Sequence, residues 1–315
     1  MLNGKRYFHQ PVLLPEVLDS LAPKPGENFV DATLGAGGYS RAILSKISEA
    51  GKVVSIDLDE AAIENARTGK KDKNWIIHHG NFKEIDKIVS KHNLKKVDGI
   101  VADIGFSSFQ LDQSGRGLSF KKQEPLDMRF NAHGGKEDAK FILNNRDEKQ
   151  LAKIFRDYGE EKFALRIARK VIKKRQEGLE IKYTNDLYQI IVDSLPKPVK
   201  HKADGSARRI FQALRIEVNH ELENLKEFLP KAFGLLASGG RLAVVSFHSL
   251  EDRIVKQYFA KLIKGCVCPP EFPICRCGRN PQGKLLNKKP ITASDAESKL
   301  NPRSKSAKLR AIIKL

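Results

Sequence analysis

The stretch "FVDATLGAGGYSRAIL", residues 29–44, places three glycines between an apolar run and an amphipathic run. Gly35, Gly37 and Gly38 give the backbone the freedom that a tight turn needs between a strand and a helix. An acidic residue, Asp57, follows the next apolar run, "KVVSID". This order is typical of an α/β sheet that holds a nucleoside or a nucleotide at the carboxyl ends of its strands.

The spacing of the glycines narrows the choice of ligand. Ser40 stands where the dinucleotide fingerprint requires its third glycine, and no lysine follows the turn as it does in a phosphate-binding P-loop. Asp57 comes about 20 residues after Gly35, where a carboxylate can accept both hydroxyls of a ribose. These features favour S-adenosylmethionine, which has a ribose and two cationic groups but no phosphate. A turn that only packs a helix on a strand stays open as an alternative.

The first 105 residues alternate β-rich runs with helical patterns, which predicts right-handed crossovers and a doubly wound parallel sheet. The residues directly after each run should therefore meet at one edge of the sheet. The predicted strands contain "NFVDAT", "KVVSID", "NWIIHH", "VDGIVAD" and, much later in the chain, "GRLAVVSF".

Between the fourth and fifth predicted strands the pattern is helical. Residues 138–195 read as successive helices, with Thr184 as a predicted N-cap, and "ARRIFQALRIEVNHELENLKEFLPKAFGLL" reads as one long amphipathic helix. We therefore predict an α/β fold with an inserted all-helical domain. The predicted boundaries are 1–108 and 207–315 for the discontinuous sheet domain and 109–206 for the insertion.

The chain has 315 residues and a net charge of +19, with a pI near 9.7. The surplus of basic residues lies almost entirely after residue 105, and it includes apparent loops such as "LPKPVKHK" and "NPRSKSAKLR". This charge indicates a nucleic acid partner, although solvated helix faces in a lysine-rich protein would give the same composition. No apolar run is long enough to span a membrane and no export signal is recognisable, so we expect a cytoplasmic protein.

Several separate blocks, in order, resemble one family along almost the whole chain. They are "HQPVLLPEVLDSL", "DATLGAGGYS", "DIGFSSFQLDQSGRGLSF", "PLDMRF", "YGEEKFALRIARKV", "FQALRIEVNHELENL", "GGRLAVVSFHSLEDRIVK" and "NPRSKSAKLR". The family is that of the bacterial small-subunit (16S) ribosomal RNA (cytosine-N4)-methyltransferases, RsmH/MraW. The resemblance implies a Rossmann-type class I methyltransferase domain with an inserted helical domain. It also implies methyl transfer from S-adenosylmethionine to the exocyclic N4 amine of a cytidine in the decoding region of small-subunit ribosomal RNA.

The resemblance also implies the residues that contact the cofactor. This sequence departs from the family at Tyr39, where histidine is common, and at Phe109, where proline is common. Proline would fix the local φ, so Phe109 affects the placement of its neighbour Gln110. The implied cofactor contacts are Gly35, Gly37, Gly38, Tyr39, Asp57, Phe82, Asp103 and Gln110.

The chemistry needs alignment and a hydrogen-bond acceptor near the amine, without a covalent enzyme intermediate. Asp103 is the candidate catalytic acceptor, and the competing interpretation is that it only binds the amino group of the cofactor. Phe106 is a candidate stacking platform for a flipped base. Arg116 and Arg129 suit phosphate contacts or internal ion pairs that organise their long loop equally well.

His248 and the cysteine cluster each allow two interpretations. His248, after the fifth strand, either lines the substrate pocket or caps the following helix. All four cysteines of the chain lie in "CVCPPEFPICRCG", where the C-x-C spacing departs from the usual zinc knuckle. Either zinc or idle reduced thiols explain them, so we assign no metal ligand from sequence. The cysteines are Cys266, Cys268, Cys275 and Cys277.

Two other classes of function compete with the methyltransferase. A nicotinamide-dependent oxidoreductase is disfavoured by the broken fingerprint and by the positive charge. A non-catalytic RNA-binding assembly factor would tolerate substitution of Asp57 or Gly37, whereas a methyltransferase would not. The predicted partner is small-subunit ribosomal RNA, within a ribosomal subunit, and the oligomeric state is not predicted.

Overall fold

A computed structural model describes residues 11–68, 72–105, 115–131, 135, 137–266, 268–269, 271–274 and 276–315. The chain forms a seven-stranded sheet in the order β3-β2-β1-β4-β5-β7-β6. Strands β1 to β5 run parallel, β7 is antiparallel to β5, and β6 is antiparallel to β7. The strands are β1 Phe29–Asp31, β2 Val53–Asp57, β3 Trp75–His79, β4 Val97–Asp103, β5 Leu236–Ser246, β6 Gly283–Leu285 and β7 Lys308–Lys314. The predicted α/β class is confirmed.

Helices cover both faces of the sheet, and the alternation of side chains along each strand explains how. In β4, Ile100 and Ala102 pack into one apolar cluster while Val101 packs into another on the opposite face. Because both faces of the sheet are buried, the sequences of the strands are nearly continuous apolar runs, as is usual for parallel strands. The helices of this part are α1 Leu14–Leu21, α2 Gly38–Ile47, α3 Glu60–Thr68, α4 Ile85–Lys91, α10 Glu221–Leu235, α11 Ser249–Ile263 and α12 Asp295–Leu300.

The helical part has a core of its own, built from the apolar stripes of its helices. Asp147 caps one of them with a capping box, in which its side chain accepts from the backbone N–H of Gln150 at 2.8 Å. These helices are α5 Ala139–Asn145, α6 Glu148–Asp157, α7 Ala164–Gln176, α8 Thr184–Ser194 and α9 Ala203–Asn219. In the described part of the chain, none of the helices combines the length and apolarity needed to cross a lipid bilayer.

The predicted N-cap at Thr184 is wrong by one residue. Tyr183 occupies the cap position, and Thr184 is the first helical residue. The hydroxyl of Thr184 is used elsewhere: it donates to the carbonyl of Lys122 at 2.5 Å and accepts the backbone N–H of Glu124 at 3.1 Å. A threonine that fastens a neighbouring loop is thus indistinguishable, in sequence, from one that caps a helix.

The long amphipathic helix predicted after the insertion is in fact two helices. His220 adopts a left-handed conformation, φ 51°, and separates α9 from α10. The chain also divides into two compact units near this break, with residues 106–221 as one unit and residues 1–105 and 222–315 as the other. The boundary predicted after residue 206 falls inside α9, because this helix begins at Ala203 and the polar residues of its first turn do not show the apolar periodicity.

The carboxyl-terminal basic stretch is only partly the loop that composition suggests. In "NPRSKSAKLR" a short 3₁₀ turn, Pro302–Ser306, leads directly into β7. The stretch "LPKPVKHK" likewise contains a 3₁₀ helix, Lys197–Lys202. The loop prediction is wrong for the start of β7, whose residues pair with β5 from Lys308 onward.

Gly99 provides a test of the packing. A Cβ at this position of β4 would lie 2.3 Å from the ring of the fully buried Phe29. We expect Gly99→Ala to lower the free energy of unfolding by about 1–3 kcal/mol through overpacking. Gly234→Ala is the matched control: it is exposed in α10 with open space around its Cβ position, and should raise the stability by about 0.5–1 kcal/mol. Denaturant unfolding of both variants checks this, and equal stabilities would contradict it.

Candidate active site

Three acidic residues end neighbouring strands of the sheet. Asp31, Asp57 and Asp103 are the last residues of β1, β2 and β4, which lie side by side in the order β2-β1-β4. In parallel strands all carboxyl ends meet at one edge, which is where ligands bind in open α/β sheets. The chain topology therefore gathers these three carboxyl groups at one place.

The glycine turn connects β1 to α2 and is tied to β2. Gly35 and Gly37 have positive φ angles of 50° and 75°, and Gly37 is the residue before the first turn of α2. The backbone N–H of Gly35 donates to Oδ2 of Asp57 at 2.8 Å. A Cβ on Gly37 would lie 3.1 Å from the ring of Trp75, so this glycine also allows close packing. The turn is thereby held open toward the edge of the sheet.

Asp57 organises the neighbouring strand end as well. Its Oδ1 accepts the backbone N–H of Asp59 at 2.9 Å, and its carbonyl accepts the N–H of Gly80 at 2.8 Å. The second bond places the turn that carries Phe82 beside Asp57. The Phe82 ring packs edge-to-face on Phe228, with centroids 5.1 Å apart. Burial raises the pKa of the Asp57 carboxyl to about 6.

A series of buried, hydrogen-bonded polar side chains lies behind the glycine turn. Ser40 donates to Oδ2 of Asp31 at 2.5 Å and lies 2.7 Å from the hydroxyl of Ser55, which accepts from the indole N–H of Trp75. Burial raises the pKa of Asp31 to about 7, while the hydrogen bond from Ser40 opposes that rise. From the sequence, Ser40 was noted only because it stands where the dinucleotide fingerprint requires a glycine. The presence of Asp31 at a strand end nine residues earlier was the sequence feature that could have indicated a hydrogen bond from Ser40.

Asp103 carries a polar atom that is buried without a partner. Its backbone N–H donates to the hydroxyl of Thr33 at 2.7 Å, but its Oδ1 has no hydrogen-bond partner among the residues that the structure describes. Burial, followed by repulsion from Asp31 and from Glu251, raises the pKa of the Asp103 carboxyl to about 8, and a hydrogen bond between this carboxyl and the Tyr39 side chain opposes the rise. A buried carboxyl oxygen of this kind needs a donor or a cation from a ligand.

The charge of the site therefore matches a cationic ligand. Burial and mutual repulsion make it unfavourable for Asp31, Asp57 and Asp103 to be ionised together. A ligand with positive groups favours the ionised forms, whereas an anionic phosphate would add to the repulsion. The sulfonium and ammonium of S-adenosylmethionine fit this requirement, and its ribose suits a carboxylate such as Asp57.

Tyr39 and Gly38 take up positions behind the turn. The Tyr39 side chain is buried, and its hydroxyl donates to the carbonyl of Val12. Burial and the nearby charge of Asp103 raise the pKa of this phenol well above its usual range. A Cβ on Gly38 would lie 2.1 Å from Cγ of Pro11, so this glycine accommodates the amino-terminal segment. Tyr39 thus anchors that segment to α2 next to Asp103.

His248 is a helix cap, as the second interpretation of the sequence proposed. It is the N-cap of α11, and its Nδ1 accepts the backbone N–H of Glu251 at 3.4 Å. Glu251 completes the box by accepting the backbone N–H of His248 at 3.3 Å, and the same oxygen accepts the N–H of Phe247 at 2.9 Å. Glu251 is itself buried and contributes to the raised pKa of Asp103. Sequence reasoning missed this residue, although its spacing of three after His248 is the capping-box signature.

Arg116 and Arg129 make internal contacts. Arg129 forms a two-bonded pair with Asp127, at 2.8 and 2.7 Å, and the Arg116 guanidinium donates to the carbonyls of Arg129 and Phe130. These contacts match the interpretation in which the two arginines organise their loop. Phe106, Phe109 and Gln110 lie outside the described residues. The other predicted cofactor residues lie at the carboxyl edge of the sheet or pack directly behind it: Gly35, Gly37, Gly38, Tyr39, Asp57, Phe82 and Asp103. Their contacts with the cofactor stay a prediction.

The fold is that of a Rossmann-type methyltransferase. The chain belongs to the MraW methylase family, whose model matches residues 6–315. This membership of a methylase family makes S-adenosylmethionine its cofactor and the nicotinamide-dependent alternative wrong.

The sequence similarity to known relatives extends over nearly the full length of the chain. The chain is 46% identical over 316 residues to "Ribosomal RNA small subunit methyltransferase H" of Heliobacterium modesticaldum and 47% identical over 311 residues to the protein of the same name of Clostridium botulinum strain Loch Maree. Each match covers 98% of this chain and 99% of the relative. Among solved structures, an rRNA methylase from Streptococcus thermophilus matches with a TM-score of 0.40 and 12% identity over 95% of both chains, from which nothing about the site follows.

The buried carboxyl of Asp31 predicts a pH-dependent stability. Because its folded pKa, about 7, lies above the ordinary value of 3.8, the folded state binds more protons than the unfolded state between these values. The free energy of unfolding of the ligand-free protein should therefore fall as the pH rises from about 4 to about 7, by up to about 1.4 kcal/mol per pH unit for this group.

Asp31→Asn removes this ionisation and keeps an oxygen for Ser40, so its stability should fall less steeply over the same pH range. Part of the slope remains, because Asp57 and Asp103 shift in the same direction. Denaturant unfolding at a series of pH values gives the slopes. Identical slopes for the variant and the unmodified protein would contradict the assignment.

Proposed function

We propose that this protein transfers the methyl group of S-adenosylmethionine to the exocyclic N4 amine of a cytidine in the decoding region of small-subunit ribosomal RNA. The observation that carries the proposal is the identity of 46–47% over 98% of the chain to relatives named ribosomal RNA small subunit methyltransferase H. The choice of cytidine N4 rests on the sequence blocks that resemble the cytosine-N4 family. The partner is small-subunit ribosomal RNA within a ribosomal subunit, in the cytoplasm.

Within the sheet domain, the glycine turn and the strand ends hold the cofactor. Asp57 accepts the ribose hydroxyls with lone pairs that its bonds to Gly35 and Asp59 leave available. When bound, S-adenosylmethionine supplies a methyl group made electrophilic by the adjoining sulfonium. The residues that hold it are Gly35, Gly37, Gly38, Tyr39, Asp57, Phe82 and Gln110, and a cofactor contact is the competing assignment for Asp103.

Asp103 acts on the substrate amine. The amino group of cytosine is a weak nucleophile because its lone pair is delocalised into the ring. A carboxylate that accepts one of its N–H hydrogens helps the nitrogen to pyramidalise and takes the proton that the new N–C bond releases. The Oδ1 of Asp103, which has no hydrogen-bond partner among the described residues, is the group suited to this role, and the bond to Thr33 fixes the backbone that carries it. Its raised pKa favours uptake of that proton.

The inserted helical domain, 109–206, contacts the RNA. The 3₁₀ helix Lys197–Lys202 exposes Lys197, Lys200 and Lys202. No carboxylate in the described part of the chain forms an ion pair with any of the three. By contrast, Lys174 of the nearby basic helix α7 pairs with Glu177 at 2.8 Å. Lysines without internal partners are the kind that neutralise phosphates.

The substrate assignment is tested with labelled S-adenosylmethionine and small ribosomal subunits that lack the modification. We expect the label to enter one cytidine of the assembled subunit, with less or none in free ribosomal RNA, and mapping of the modified base should place it in the decoding region. Asp57→Ala is the control, since it should abolish labelling by weakening cofactor binding. The absence of label from both substrates would overturn the proposal, as would label on a base other than cytosine.

Asp103→Asn tests the role of the acceptor. The variant should bind S-adenosylmethionine to within a few-fold of the unmodified protein and lose turnover by about 10²-fold or more, the range of a positioned acid or base. In the unmodified protein, kcat/KM should rise with pH through about 8, and the variant should lack that rise.

Asp98→Asn, at the opposite end of β4, is the matched control and should retain full activity. Loss of cofactor binding in Asp103→Asn would instead assign Asp103 to the amino group of the cofactor.

A further inference from the structure

The segment between α11 and β6, residues 264–282, has no apolar support. None of its described residues is buried, and Phe272 and Ile274 are 49% and 74% exposed. Its ends are close together, because the backbone N–H of Gln282 donates to the carbonyl of Leu262 at 2.8 Å. Ordering such a loop costs conformational entropy that burial does not offset here. A cross-link within the loop is the remaining way to hold it.

Three cysteines converge inside this loop. The Sγ atoms of Cys266, Cys268 and Cys277 all lie within 4.8 Å of one another, and those of Cys266 and Cys277 are 3.8 Å apart. A disulfide would require about 2.05 Å. Tetrahedral zinc holds thiolate sulfurs about 2.3 Å from the metal, which separates two of them by about 3.8 Å. The observed Sγ–Sγ separation excludes a disulfide and matches the distance between two sulfurs on one zinc ion.

The backbone is arranged to stabilise negative charge on these sulfurs. The N–H of Cys268 points to Sγ of Cys266 at 3.3 Å, and the N–H of Arg276 points to Sγ of Cys268 at 3.4 Å. Hydrogen bonds of this kind orient metal-bound thiolates and spread their charge.

We propose that Cys266, Cys268 and Cys277 bind a zinc ion that fixes the loop between α11 and β6. Thiolates select soft or borderline metals, and tetrahedral sulfur ligation is characteristic of zinc. The site is structural, because the ion cross-links residues eleven positions apart in a loop that lacks a core. Cys275 lies outside the described residues, and the proposal stands on the other three cysteines.

The test measures metal in the full-length protein purified under reducing conditions without chelator. Elemental analysis should find about one zinc per chain, released when the thiols are titrated with a mercurial. Replacement of zinc by Co²⁺ should give thiolate charge-transfer bands and the visible spectrum of tetrahedral cobalt. Limited trypsin digestion at Arg276 or Arg279 should be slow with metal and at least tenfold faster after chelation.

Cys266→Ser and Cys277→Ser should each lose the zinc and the cobalt spectrum, whereas Glu271→Gln, an exposed change in the same loop, should keep both. Methyltransferase activity is measured separately, so the zinc result stands or falls independently of the proposed function. If the unmodified protein holds no zinc, and added zinc or cobalt gives neither stoichiometric binding nor thiolate bands, the proposal is overturned.

Discussion

Burial of three carboxyl groups at one edge of a parallel sheet is the constraint on which this site depends. Asp31, Asp57 and Asp103 sit at the ends of adjacent strands, and each is disfavoured as an anion by desolvation. Backbone N–H groups and the Ser40 hydroxyl compensate the first two in part, while one oxygen of Asp103 has no hydrogen-bond partner in the described part of the chain. The ligand-free site thus stores an unfavourable electrostatic arrangement that a cationic ligand relieves, as is common at functional sites.

The hydrogen bonds around Asp57 show how one side chain can set the shape of a pocket. Its carboxylate fixes the glycine turn on one side, and its carbonyl fixes the turn carrying Phe82 on the other. The same residue therefore positions the parts of the site that come from β1 and from β3. A substitution at Asp57 would disturb geometry as well as remove a ribose acceptor, so binding data for such variants combine both effects.

Much of this architecture was predictable from sequence. The parallel strands, the glycine turn and the acidic residues at the strand ends follow from apolar periodicity and from the rule that strand ends carry the ligand. The break at His220 was not predictable, because a single residue in a left-handed conformation leaves the apolar pattern of α9 and α10 uninterrupted. The roles of Ser40 and Glu251 were missed for another reason: the bond from Ser40 to Asp31 requires β1 and α2 to be placed against each other, and the capping box of Glu251 begins with a histidine instead of the usual serine, threonine or aspartate. The strand β7 was hidden by its lysines and arginines, which suggested a loop.

The strand order has a consequence for how the protein is made. Strand β4 lies in the middle of the sheet, but its neighbour β5 follows only after the whole helical unit, residues 106–221. On the ribosome, the helical unit is contiguous and has its own core, so it can fold while β4 still presents an unpaired apolar edge. Strand β7, which lies between β5 and β6, is the last strand to be synthesised. We therefore expect the nascent chain to be most prone to misassembly while the insertion is being synthesised, when β4 has been made and β5 has not.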